Sequence, residues 1–119
     1  VLAHPASADS IPTSANTEDH VSMGATATRQ AGKILEHVET IVAIELLCAA
    51  QAVDFQRRRH DDRQRQGQGT ALVYKLVRRQ VPFLEEDVVL APHIESVRRL
   101  VAEGRIKEAI VVYLFGQSI

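Results

Sequence analysis

Apolar residues recur at spacings of three and four through the middle of the chain. Ile34, Val38, Ile41, Cys48 and Ala52 form one row, with Glu45 inside it, and Leu35, Val42, Leu46, Ala49 and Val53 form an adjacent row. The two rows predict a wide apolar face on a long helix. Across residues 41–53 the pattern is apolar nearly all round, which predicts burial between several neighbours. A helix over residues 19–56 would be ~55 Å long at its rise per residue. A compact globule of this chain length has a radius of gyration of only ~13–14 Å. Such a helix is therefore expected to bury part of its face against other chains, or against parts of its own polypeptide beyond this stretch.

Four segments follow from the pattern. Residues 1–18 read as an extended loop. Pro12 keeps Ile11 out of helical geometry, and Thr13, Ser14, Asn16 and Thr17 are good helix-entry residues. The long core helix, 19–56, is expected to start between residues 17 and 22. Residues 57–69 read as a polar connection that Gly67 and Gly69 close. Residues 70–119 read as a small helical part. In it, Thr70 starts a helix that Val81-Pro82 stops, with Leu72, Val73, Leu76 and Val77 inward. Pro92 opens another, lined by Ile94, Val97, Leu100 and Val101, with Glu95 placed to pair with Arg98 or Arg99. Gly104 suits a C′ position. Residues 106–115 mix β-branched and helix-forming residues and lean to a short helix. The fold class expected is all-α: one long helix in an oligomeric helical bundle, followed by two or three shorter helices.

Composition narrows the function. The net charge of −1 offers no global field to attract nucleic acid or a membrane surface. The tract containing Arg57, Arg58, Arg59, Arg63 and Arg65 is offset by Asp61 and Asp62. No aromatic residue interleaves it for stacking, so it reads as a solvated connection. No apolar run is long enough to span a bilayer. Cys48 is the single cysteine, which fits a reducing, cytoplasmic compartment. It sits in an apolar stretch, where a thiol behaves as a small hydrophobe. The five histidines show no paired ligand spacing, so no metal site is expected. Glu45 and Gln51, set among apolar positions, are expected to find inter-helix hydrogen bonds. The chemistry-bearing density lies at residues 13–20: Thr13, Ser14, Asn16, Thr17, Glu18, Asp19 and His20 at a loop-to-helix junction. Glu18 and Asp19 near a helix N-terminus also suit the helix dipole.

The same stretch carries a resemblance. Pro5, Ala6 and Ser7, then Asp-Ser-Ile-Pro-Thr-Ser-Ala-Asn at 9–16, then Glu-Asp-His-Val-Ser-Met-Gly at 18–24 resemble the C-terminal part of the histidine-acting ammonia-lyases of the aromatic amino acid lyase family. Residues 43–52 resemble the helix that follows there, and residues 90–95 extend the likeness more weakly. Thr17 departs from the family pattern, which has Gln at that position.

The resemblance implies elimination of ammonia from L-histidine to give urocanate. It implies an electrophile, methylideneimidazolone, made by cyclisation of an Ala-Ser-Gly tripeptide. It places Glu18 at the family's active-site carboxylate, where phenylalanine- and tyrosine-type members generally have Gln. Asn16, Thr17, Asp19 and His20 would then bind substrate or support Glu18. No Ala-Ser-Gly occurs in these 119 residues, and neither Tyr74 nor Tyr113 matches the family's catalytic tyrosine. The chain is therefore expected to be a fragment, inactive alone. Its expected partners are the upstream part of the same protein, further copies in a homotetramer, and an amino acid substrate. The alternatives are a segment of a tyrosine or phenylalanine ammonia-lyase or of an aminomutase, and a non-catalytic helical oligomerisation module.

Overall fold

The computed structural model describes residues 3–8, 10–17, 20–60 and 66–116. Their regular structure is four α-helices and two 3-10 turns, so the class is all-α. The helices are α1 (Gly24–His60), α2 (Gln68–Gln80), α3 (Ala91–Ala102) and α4 (Arg105–Phe115). The chain divides into two compact units, Val1–Val38 and Glu39–Ile119. Much of the predicted polar connection, from Asp61 and Asp62 through Arg63 and Arg65, lies outside the described residues.

In the first unit, one 3-10 turn spans Ala6–Ala8, closed by the Ala8 N–H on the Pro5 carbonyl at 3.0 Å. Ala6 is buried, and the Gln30 amide reaches back from α1 to donate to the His4 carbonyl at 3.0 Å. The second turn, Ser14–Asn16, is left-handed: φ is 52° at Ser14, 54° at Ala15 and 68° at Asn16. A right-handed helix cannot propagate from such residues. Accordingly α1 begins only at Gly24, beyond the window of residues 17–22 that the polar sequence suggested.

In the second unit the core joins three helices and a turn. Ala43, Leu47 and Ala50 of α1 pack with Val77 of α2, Val81 of the turn and Val97 of α3. Leu46, Tyr74, Leu84 and Ile94 close around them. Positions 43, 47 and 50 are spaced four and three apart, so they form one stripe on α1. The stripe differs from both predicted rows. Ile34, Leu35, Val38, Ile41, Cys48 and Ala52 are exposed, and Val42, Leu46 and Val53 are half-buried. Two of the three buried positions are alanines, with Leu47 between them.

Val81 ends α2 in an extended conformation (φ −130°, ψ 118°) ahead of Pro82. Pro92 occupies the first turn of α3. Gly104, at φ 70° and ψ 12°, closes α3 by donating to the Val101 carbonyl at 3.0 Å. It also opens α4, its carbonyl accepting from Glu108 at 2.9 Å. Arg98 of α3 is doubly tied, to Glu95 at 2.8 Å and to Glu39 of α1 at 2.9 Å. Hydrogen bonding from Arg98 holds the Glu95 carboxyl below its ordinary range, against a smaller opposing effect of desolvation.

Candidate functional site

The predicted site segment sits in the first unit, in the loop between the Ala6–Ala8 turn and α1. Ser10 and Val21 mark its two ends: the Ser10 Oγ accepts the Val21 N–H at 3.0 Å, across 11 residues. Between them, Pro12 fixes its own φ and biases Ile11 to extended geometry. The left-handed turn Ser14–Asn16 follows. Thr17 closes it, donating its N–H to the Ser14 carbonyl at 3.1 Å and its hydroxyl to the same oxygen. Asn16 tolerates left-handed geometry through its short polar side chain, whereas Ser14 and Ala15 adopt it only where their surroundings hold them.

Asn16, Thr17 and His20 are all exposed in this unit. Thr17 spends its hydroxyl on the turn, so it serves the loop's shape first. Glu18 and Asp19, the two carboxylates of the predicted site, lie outside the described residues. Among the described residues no group of three His, Cys, Asp or Glu side chains is placed to hold a metal ion. None of the helices searched is long and apolar enough to cross a membrane. Cys48, expected to pack as a small hydrophobe, is exposed beside Leu47, Phe55, Leu84 and the acidic run Glu85, Glu86 and Asp87.

A second polar constellation lies in the other unit. Arg78 donates to Asp54 at 2.7 Å, to Gln51 at 3.0 Å, and to the carbonyls of Val81 at 3.2 Å and Pro82 at 2.9 Å. The Tyr74 hydroxyl donates to the other Asp54 oxygen. Gln51 also donates to the Leu84 carbonyl at 2.6 Å and accepts the Leu84 N–H at 3.3 Å in the turn after α2, and its bond from Arg78 of α2 is the inter-helix bond expected of it. Glu45, of which the same was expected, is exposed. The Arg57 guanidinium stacks over the Tyr74 ring at 4.5 Å. Burial, followed by the hydrogen bond to Asp54, raises the Tyr74 phenol above its ordinary value of 10.0. Arg78 and Asp54 answer each other's charge, so the cluster reads as a clamp joining α1, α2 and the turn after α2.

The family model for aromatic amino acid lyases matches residues 1–79, and the chain belongs to that family. Within it, the chain is most informatively compared with histidine ammonia-lyases. It is 52% identical over 113 residues to the histidine ammonia-lyase of Chloroflexus aurantiacus, covering 95% of this chain and 22% of that protein. It is 56% identical over 105 residues to that of Natranaerobius thermophilus, covering 88% of this chain and 20% of the relative. The chain therefore spans about a fifth of the length of these relatives. Among solved structures, the histidine ammonia-lyase of Trypanosoma cruzi superposes with a TM-score of 0.82 at 42% identity, covering 98% of this chain and 22% of that one. A tyrosine aminomutase also superposes with a TM-score of 0.82, at 36% identity, covering 95% of this chain and 21% of that one.

Proposed function

We propose that this chain is the C-terminal helical segment of a histidine ammonia-lyase, a carbon–nitrogen lyase that converts L-histidine to urocanate and ammonia. The observation that carries the reading is the 52% identity to a histidine ammonia-lyase across 95% of the chain. The segment contributes one active-site carboxylate, Glu18, and a share of the helical scaffold. Asn16, Thr17, Asp19 and His20 surround that carboxylate in sequence and bind substrate or support it. A carboxylate suits a substrate that presents an imidazole or an ammonium group, because opposite charge strengthens the hydrogen bond.

The family's electrophile does not fit the residues present. Its precursor, Ala-Ser-Gly, is absent from this sequence, and neither Ala6-Ser7-Ala8 nor Ser14-Ala15-Asn16 replaces it. The methylideneimidazolone of the working enzyme belongs to the remainder of the polypeptide, and no step is assigned to this chain through it. The partners proposed are that remainder, further copies of the protein in a homotetramer, and an amino acid substrate, in the cytoplasm.

The tyrosine aminomutase superposition supports a second reading, in which the parent acts on tyrosine or phenylalanine. Glu18 separates the two. The test uses the whole polypeptide that contains this chain, assayed by the ultraviolet absorbance of urocanate. Glu18→Gln removes one charge-assisted hydrogen bond and is expected to lower histidine turnover by about 10- to 150-fold. Unchanged turnover of histidine in that variant, or preferential turnover of tyrosine by the parent, would overturn the reading.

A further inference from the structure

We propose that the groove between α1 and residues 84–90 docks a cationic amphipathic segment from the remainder of the polypeptide. An apolar side chain of that segment enters the groove, and flanking Lys or Arg side chains meet Glu86 and Asp87. The inference rests on the reading of this chain as one segment of a longer lyase.

The groove lies wholly within the second unit. Leu47, Cys48 and Phe55 of α1 form its floor, and Leu84, Val88 and Leu90 form its wall, around a volume of about 360 Å³. The wall is fixed in advance. Leu84 is bonded to Gln51 through both its carbonyl and its N–H, at 2.6 Å and 3.3 Å. The Phe83 ring meets Phe55 edge-on at 5.2 Å. The Arg58 guanidinium lies 3.9 Å over the Phe83 ring and pairs with Glu85 at 2.9 Å. A site built in this way takes an occupant without first having to order its own loop. Yet Cys48, Phe55, Val88, Val89 and Leu90 stand exposed, and a contiguous apolar surface is one that a soluble protein covers.

The rim selects the occupant by charge. Glu85, Glu86 and Asp87 also line the groove. Glu85 is taken by Arg58, whereas Glu86 and Asp87 make no ion pair with any described residue. Two unanswered carboxylates beside an apolar groove favour a cation at that edge and oppose an acidic segment. The nearby arginines are already engaged: Arg57 stacks on Tyr74 and bonds Gln66, and Arg58 is held by Phe83 and Glu85. A second copy of the chain would bring the same arginines, engaged in the same way. The chain spans about a fifth of the length of its relatives, so most of the polypeptide lies beyond it and is the source of the occupant.

The experiment uses the whole polypeptide that contains this chain. Alkylation of Cys48 by iodoacetamide, followed by mass spectrometry of its peptide, reads whether the groove is filled. Relative to the protein in urea, the folded protein is expected to react at least about 100-fold more slowly at Cys48. Reversing the rim, with Glu86→Lys and Asp87→Lys together, is expected to raise the folded rate at least about 10-fold. The neutral pair Glu86→Gln and Asp87→Asn adds no repulsion and is expected to raise it less; it replaces the reversal if that variant fails to fold. The occupant is identified by photo-crosslinking from p-benzoylphenylalanine placed at the exposed position 89. The expected product is a link within one polypeptide, to a segment outside these 119 residues that carries Lys or Arg beside its apolar residues. Cys48 that reacts freely in the folded protein, or a rate unmoved by the rim variants, would overturn the proposal. So would a link within these residues, between copies, to a segment without Lys or Arg, or no link at all. An intact mass no greater than that of these 119 residues would instead overturn the reading of a longer lyase, and the proposal with it.

Discussion

Replacing Arg78 by Met tests whether the clamp in the second unit holds its helices together. The Arg78 and Asp54 side chains are 11% and 15% exposed, so the pair is largely removed from water. Arg78→Met leaves the Asp54 carboxylate with the Tyr74 hydroxyl as its remaining partner in the cluster. It also strips a donor from Gln51 and from the Val81 and Pro82 carbonyls. Breaking a buried pair from one side costs about 3–5 kcal/mol, because the surviving charge is uncompensated. Tyr74 softens this, so the lower end, about 3 kcal/mol, is expected. Asp54→Asn keeps a neutral acceptor for the guanidinium and should cost less, about 1–2 kcal/mol. Asp54→Leu combined with Arg78→Met removes both charges and should cost less than the two single changes summed. Native-state hydrogen exchange at the Val81 amide is the assay, since that N–H bonds the Val77 carbonyl at 3.0 Å at the edge of the core. An opening free energy for Arg78→Met within about 1 kcal/mol of the parent would refute the reasoning, because that is the range of an exposed ion pair.

Two further outcomes follow from local geometry. Gly104→Ala should destabilise the α3–α4 junction by about 1–2 kcal/mol, read as a loss of exchange protection at the Glu108 amide. A Cβ there meets nothing within 4 Å, so the whole cost is that of φ 70°. Tyr74 makes stability depend on alkaline pH. Its folded value is raised above 10.0, first by burial and then by Asp54. The unfolded phenol therefore ionises first as pH rises, and the stabilisation present below pH 10 is lost as pH climbs through the folded value. Tyr74→Phe should flatten that part of the stability–pH curve, and an unchanged curve would contradict the assignment.

The sequence was legible where structure is decided locally. Pro82, Pro92 and Gly104 stand where helices stop and start, and Glu95 lies within reach of Arg98 along α3. Residues 105–115 are helical despite Ile110, Val111 and Val112, starting from the left-handed Gly104, and β-branching is only a weak bias against helix. The clamp was not legible beyond Gln51's need for partners. Asp54 and Arg78 are 24 positions apart, and no local spacing pairs them. The left-handed turn was hidden for a related reason. Ser14 and Asn16 read as helix-entry residues, and of the three residues at positive φ only Asn16 has any intrinsic liking for it. The candidate site was legible as a polar cluster and as a resemblance.

The stripe chosen on α1 carries the same lesson into assembly. Weighting by hydrophobicity favours Ile, Leu and Val, yet the second unit buries Ala43, Leu47 and Ala50 and leaves Ile41 56%, Ile44 40% and Phe55 57% exposed. Ala43 and Ala50 flank Leu47 on the buried stripe, and the bulkier side chains of Ile41, Ile44 and Phe55 lie on another face. Positions 41, 44, 48 and 55 fall on one face of the helix by their spacing. A stripe of that kind, left in water, is the surface a soluble protein covers. The chain spans about a fifth of the relatives it resembles, so most of the polypeptide available to cover such a stripe lies beyond these residues. The exposed face and the partial coverage are independent observations. Both follow if α1 is a shared helix, packed by its small residues against its own unit and by its large ones against the remainder of the proposed lyase.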